Sequence, residues 1–467
     1  METPVFIIGL GLLIFGAHFF NRIFSFTRIP NALLFILFGI VIGPVLKLVS
    51  PDDFGKMGPV FSAVTLILLL YESGTNLSIR NSNKAFVPSV MFTASNFVAS
   101  ATVATIVALL FFPELELIAA VFFGAICGGT SSAIVIPMLK QIKTDQTSST
   151  YLILESAISD VLCLVVGLAI FDAMALGKVD FGTISLKILK AFFLASLIGL
   201  VSGYLWSISL NLIRELQNHI LINLGVLFII YGTSEYFNLN GGIASLTFGF
   251  ALANSYLLPS KKLGSRWIPK PLLREEKLLF SELVFVFATF FFVYIGLNIV
   301  FAYPIVYIAS SIIILLILVL RPWSTKFTIP TQHSVRDLGM MSVMAPKGIV
   351  PAILAALPLQ LGLERNNEFL VVQGQIIQNL TFSIILLSIV ICSALVIHIS
   401  SRKDGMWYMK TFFAKKIKTE SDAGDDDGSN DPAHELLDEM LNRQEATSDS
   451  KPDLSEGGST ASTEPEK

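Results

Sequence analysis

Charge is what this sequence has least of. Only 14% of its 467 residues are Asp, Glu, Lys or Arg, against 53% apolar residues and a mean hydropathy of +0.71. A water-soluble domain of this length needs far more charge on its surface, so soluble enzymes and nucleic-acid binders are excluded and a polytopic membrane protein is implied. The net charge of -3 says nothing about partners. Cysteine is scarce as well: Cys127, Cys163 and Cys392 each sit inside an apolar run with no redox or metal-ligand spacing. That excludes a disulfide framework, and the three read as packing residues. Neither a P-loop nor a dinucleotide-binding glycine pattern occurs, so no ATP drive, no cofactor and no enzymatic activity are expected. The start, Met1-Glu2-Thr3-Pro4, lacks a basic n-region and a small-residue cleavage site. It reads as the beginning of a first span, not as a signal peptide.

What the chain does have is long apolar runs. Crossing about 30 Å of hydrocarbon at 1.5 Å per residue takes about 20 residues. Runs of that scale occur at 4–20, 29–50, 58–77, 85–111, 115–139, 150–172, 184–208, 217–236, 241–258, 278–300, 303–320, 338–360 and 374–398. The reading is an all-α protein of about thirteen transmembrane helices, with a transmembrane domain over 1–399.

An odd number of spans puts the termini on opposite sides, and the distribution of Lys and Arg chooses which. Arg22, Arg28, Arg80, Lys84, Lys140, Lys143, Arg214, the cluster from Lys261 to Lys277, Arg321, Lys326 and Arg336 all fall on one side. That side is cytoplasmic, which leaves the N-terminus outside and the C-terminus inside, in a cell (inner or plasma) membrane. Residues 400–419 mix Trp407, Tyr408, Phe412 and Phe413 with five lysines, the composition of an interfacial amphipathic segment or of a stop-transfer flank. Residues 420–467 are acidic and poor in aromatics, so they are expected to form a disordered cytoplasmic tail.

An ionisable group at mid-membrane is expensive and marks function. The sixth run reads Glu155-Ser156-Ala-Ile-Ser159-Asp160 and puts an acid deep in an apolar helix. Ser156 and Asp160, four residues apart, share one helical face, and Glu155 and Ser159 share the next. Together they form a compact oxygen site for a hard cation. The fifth run carries Gly128-Gly129-Thr130-Ser131-Ser132 and the twelfth Ala345-Pro346-Lys347-Gly348. Paired interruptions of this kind point to discontinuous helices that expose backbone at mid-membrane, though Gly packing and a proline kink would leave the same trace. A lysine is not needed for a kink. Lys347 calls for an acidic partner, and Glu155 is the expected one if the sixth and twelfth spans pack together. Glu72, near one end of the third run, either lines an ion pathway or snorkels to the interface.

These residues resemble the monovalent cation/proton antiporter superfamily, in particular its sodium/hydrogen exchangers. The resemblance runs from about Pro30 to Val396. It rests on Ile29-Pro30 with Gly39-Ile-Val-Ile-Gly43-Pro44, on the Glu155-Ser156 and Ser159-Asp160 pairs, on Phe290-Phe-Phe-Val-Tyr-Ile-Gly296 and on Lys347-Gly348. It implies an inverted repeat, two discontinuous helices that cross beside the ion site, and a homodimer in the lipid bilayer. By the same resemblance Asp160 binds cation and proton in turn, Ser156 and the Thr130 carbonyl complete the site, and Glu155 pairs with Lys347. Two departures stand out. Ser159 replaces an Asn or Asp, and Thr130-Ser131-Ser132 replaces Thr-Asp-Pro with something closer to the Ser-Ser-Thr of another branch.

The leading expectation is a secondary antiporter exchanging Na+ for H+, electroneutral because Ser159 cannot titrate. A K+/H+ antiporter of the efflux type is the alternative within transport. A non-transporting membrane sensor of the same fold is the alternative outside it.

Overall fold

In hydrocarbon every peptide N–H and C=O must find its partner within the protein, and the α-helix is the local solution. The computed structural model follows that rule: among the described residues there are helices and no strands. It describes residues 11–12, 14–16, 18–19, 30–50, 57–77, 86–142, 144–176, 181–214, 220–237, 239–257, 269, 272–329 and 333–401.

The helices are α1 (Asn31–Ile40), α2 (Met57–Asn76), α3 (Phe86–Phe111), α4 (Leu117–Cys127), α5 (Ser132–Gln141), α6 (Gln146–Leu176) and α7 (Phe181–Ile213). They are followed by α8 (Ile220–Tyr236), α9 (Gly241–Ala253), α10 (Arg274–Leu297), α11 (Pro304–Thr328), α12 (Val335–Val343), α13 (Ile349–Glu364) and α14 (Glu368–Ser401). Among the described residues, seven helical stretches are long and apolar enough to cross a membrane, and five shorter apolar ones accompany them. These correspond one by one to twelve of the runs read from hydropathy. The first run falls largely outside the described residues, as do the segment 402–419, the tail 420–467 and most of the basic cluster around Lys261.

Boundaries follow local chemistry. Asp145 starts α6 by accepting from the N–H groups of Thr147 and Ser148 at 3.1 and 3.3 Å, Asn240 starts α9 by accepting from Ile243 N–H at 2.9 Å, and Ser334 starts α12 by accepting from Asp337 N–H at 3.1 Å. Each satisfies a donor that the first helical turn leaves open. Pro304 at the first position of α11 has no N–H to lose. At Gly43-Pro44, α1 widens into a π turn over Val41–Val45, with Leu46 N–H reaching Val41 O at 2.9 Å.

One boundary corrects the sequence reading. The eleventh run ends at Leu320 by hydropathy, and Arg321 is then counted with the cytoplasmic charges. In the structure α11 continues through Pro322 to Thr328, and Arg321 is buried with 3% of its surface exposed. The charge does not terminate the span because it is neutralised inside the protein.

Packing sorts the helices into two groups. α1, α2, α7, α8, α9 and α10 contact chiefly one another, as do α3, α4, α5, α6, α11, α12, α13 and α14. In the first group Arg214 closes on Glu276 at 2.8 Å, and Glu276 also accepts from Leu273 N–H at 2.7 Å to begin α10. The second group holds both interrupted spans and the acid-bearing α6.

Candidate functional site

The fifth run is interrupted at 128–131, between α4 and α5, and the twelfth at 344–348, between α12 and α13. Each interruption strips several backbone groups of their helical partners, at a cost of several kcal/mol per group if left unpaired in lipid. The structure pairs several of them across the site. Gly129 N–H donates to Cys163 Sγ at 3.1 Å and Thr130 N–H to Ser159 Oγ at 2.9 Å. Ser131 N–H crosses to Pro346 O at 2.9 Å, which joins the two interruptions directly. Lys347 N–H donates to Ser388 Oγ at 2.9 Å, and the Lys347 ammonium donates to Gly129 O at 2.7 Å. Ser159 Oγ–H returns a bond to Thr130 O at 3.0 Å.

The contact leaves no room for side chains. A Cβ on Gly348 would stand 1.9 Å from Ser131 Oγ, and one on Gly129 would stand 2.5 Å from Cys163 Sγ. Glycine is required at both positions by the closeness of the neighbouring segment.

Asp160 lies on α6 opposite the start of α5. Its Oδ2 accepts from Ser132 Oγ–H at 2.6 Å and from Ser132 N–H at 3.3 Å. Ser132 is the first residue of α5, so the carboxylate sits at a helix N-terminus, whose partial positive charge favours an anion. Asp160 also lines a cavity of about 10 Å³ with Ser131, Ser132 and, from α2, Ser73; Leu70 and Val350 supply apolar wall. That is space on the scale of one water molecule.

Glu155 is the second buried acid of α6, and its partner differs from the expected one. Arg321 of α11 grips it with two arms, Nη1 to Oε1 and Nη2 to Oε2, each at 3.0 Å. Arg321 Nε donates to Met341 O at 2.7 Å, a carbonyl beside the α12 break, and its guanidinium lies 5.1 Å from the centre of the Phe92 ring. Thr130 Oγ–H completes the arrangement by donating to Glu155 Oε1 at 3.0 Å. Arginine outcompetes lysine here because its planar fork matches a carboxylate in two places. Lys347 makes no salt bridge with Glu155; its charge is spent on the Gly129 carbonyl, beside the C-terminal end of α4.

The remaining sequence-derived residues are placed as follows. Glu155 and Ser159, expected on a common face, both contact Thr130. Ser156 shares a face with Asp160 by helical arithmetic, but its hydroxyl donates back to Ile153 O at 3.0 Å within α6. Glu72 is half-buried and faces the Ser281 hydroxyl and Lys140; its neighbour Ser73, not Glu72 itself, lines the Asp160 cavity. Sequence reasoning missed Arg321, Ser132 and Ser73. The signal for Arg321 was present in the apolar Trp323 and Phe327 beyond it, which continue the helical run.

Comparison with known proteins adds four findings. A family profile described as "Sodium/hydrogen exchanger, transmembrane" matches residues 9–400. The Na(+)/H(+) antiporter NhaH of Halobacillus dabanensis is 25% identical over 239 residues, covering 48% of this chain and 58% of that protein. The chain thus spans little more than half the length of that curated relative. The solved structure of the sodium proton antiporter MjNhaP1 from Methanocaldococcus jannaschii at pH 8 superposes with a TM-score of 0.68 at 20% identity, over 86% of this chain and 100% of the other. An electron-microscopy map of the same antiporter gives 0.67 at 18% identity, over 86% and 98%. At such identities the likeness establishes a common fold.

Proposed function

The chain belongs to the sodium/hydrogen exchanger family, and from that premise we propose that it is a secondary antiporter exchanging Na+ for H+ across a cell membrane. The observation that carries the reading is Asp160, a carboxylate held at the start of α5 and facing a small cavity where the two interrupted spans meet. An acid so placed takes either a proton or a cation, and alternating exposure of one such site to the two sides is sufficient for exchange. Its relatives, a Na(+)/H(+) antiporter and a sodium proton antiporter by name, support Na+ as the cargo.

Asp160 carries the exchanged ions, while Glu155 is a structural acid tied to Arg321 and Lys347 braces the two breaks. With Ser159 beside Asp160 in place of a second acid, one proton leaves for each cation that enters, and the cycle is electroneutral. The transmembrane domain works as a homodimer with the N-terminus outside and the C-terminus in the cytoplasm, and the segment from 400 onward forms an interfacial stretch and an acidic tail.

A second reading, K+/H+ exchange, draws support from Ser131 and Ser132, which put neutral hydroxyls where the resembled pattern has an acid and a proline. A sensor without transport is disfavoured, since it has no use for a buried acid facing a cavity. Proton flux in sealed proteoliposomes challenged separately with Na+, K+ and Li+ tests the proposal. Flux with Na+ supports it, flux with K+ alone moves it to the second reading, and no flux with any cation overturns it.

A further inference from the structure

Asp160 uses its two oxygens unequally. Oδ2 accepts twice from Ser132, from the hydroxyl at 2.6 Å and from the backbone N–H at 3.3 Å. Oδ1 takes no protein donor among the described residues, and Asp160, 5% exposed, is one of the residues that line the cavity. A carboxylate oxygen offers about two lone-pair positions, and both on Oδ2 are taken. The hydroxyl of Ser132 can rotate, but its N–H is fixed by the first turn of α5. A proton on Oδ2 would therefore set one hydrogen against another, and a cation approaching Oδ2 would meet two positive donor ends.

We infer that Oδ1 of Asp160 is the single atom at which cation and proton exclude each other, and that Ser132 is the positioning residue that makes it so. A carboxylate with both oxygens free can hold a proton on one while a cation leans on the other, which weakens the exclusion that exchange requires. Engaging Oδ2 from the protein side removes that option. Serine is suited to the task because it supplies a hydroxyl and an N–H from one residue, whereas the proline of the resembled Thr-Asp-Pro pattern has neither to give. Ser132 also keeps its bond in both states of the cycle, since the donors meet Oδ2 whether Oδ1 carries a proton or a cation. The carboxylate is then oriented before either ligand arrives, and less ordering has to accompany binding. The inference rests on the reading of Asp160 as the exchange site.

The test compares Ser132→Ala and Ser132→Thr with the parent protein in proteoliposomes, following Na+-driven proton flux against Na+ concentration at several pH values. Losing a hydrogen bond to a charged group should raise the KM for Na+ about tenfold in Ser132→Ala. The maximum rate at saturating Na+ should stay close to the parent's, and Ser132→Thr, which keeps the hydroxyl, should return KM to the parent value. Na+-dependent thermal stabilisation of the purified variants reads cation binding without transport and should shift in the same order. A Ser132→Ala protein with the parent's KM at every pH and the parent's Na+ stabilisation overturns the inference. A fall in maximum rate alone, unrescued by threonine, does so as well. Persistent exchange in Asp160→Asn would instead overturn the reading of Asp160 itself, so the two failures are distinguishable.

Discussion

Glu155 and Arg321, 166 residues apart in the sequence, meet in a two-armed ion pair with both arms at 3.0 Å and almost no exposed surface on either side chain. Breaking such a pair leaves an uncompensated buried charge, at a cost of about 3 to 5 kcal/mol. Glu155→Gln and Arg321→Gln are each expected to lower the stability of the purified protein by that amount. The double variant should lose much less than the sum, because neither charge is then left alone. Glu155→Gln combined with Lys347→Gln should be closer to additive, since no hydrogen bond joins those side chains. Thermal or denaturant unfolding in detergent measures all the variants, and full additivity between Glu155 and Arg321 would remove the pair as an energetic unit.

Asp160→Asn should abolish cation-driven proton flux while leaving the protein folded, since the amide nearly reproduces the shape of the carboxylate but carries no charge to trade. The check is flux in proteoliposomes alongside a thermal unfolding profile. A folded variant that still exchanges ions would move the site elsewhere.

These two predictions also measure how far the sequence could be read. The acids in an apolar run and the Gly and Pro interruptions were legible because hydrocarbon makes both costly, so their presence alone carries meaning. Glu155 was legible as a paired acid; its partner was not. Hydropathy treats an arginine at the edge of a run as a boundary, so Trp323 and Phe327 beyond it are passed over, and the fold shows α11 carrying Arg321 inward to the α12 break. Ser132 left no sequence signal that separates it from Ser131, for a hydroxyl's importance depends on which oxygen it reaches. Ser156 was legible only as a spacing: four residues from Asp160, it falls on the same face of α6, and the fold adds that its hydroxyl donates to Ile153 O, as a serine in a helix readily does.

Gly348→Ala tests the meeting of the two interruptions. The added methyl would fall 1.9 Å from Ser131 Oγ and 2.4 Å from Ser131 Cβ, so one segment must shift. Overpacking of this kind costs about 1 to 3 kcal/mol, and Ser131→Gly in the same chain should recover part of it. Unfolding temperatures of the single and double variants decide the matter; an unperturbed single variant would mean that the segments are not so closely apposed.

The membrane potential should not drive the exchange. A potential contributes about 2.3 kcal/mol per elementary charge per 100 mV, but only to a cycle that moves net charge, and Asp160 alone moves none. Exchange measured with and without an imposed potential, at fixed ion gradients, should run at the same rate and reverse at the same point. A reversal point displaced by the potential would mean that a second group, Glu72 or Lys347, also loads and unloads.

The bond from Ser131 N–H to Pro346 O and the grip of Lys347 on Gly129 O, a residue 218 positions earlier, have a consequence for biosynthesis. The next span, α6, pairs Gly129 N–H, Thr130 N–H and Thr130 O soon after the α4–α5 span is made, but Ser131 N–H and Gly129 O find these partners only when residues 346–347 have been synthesised. Through that interval the span keeps two open peptide groups in the membrane or its insertion machinery. Truncations that end before residue 346 should therefore be degraded even when every span they contain is sufficiently apolar to insert.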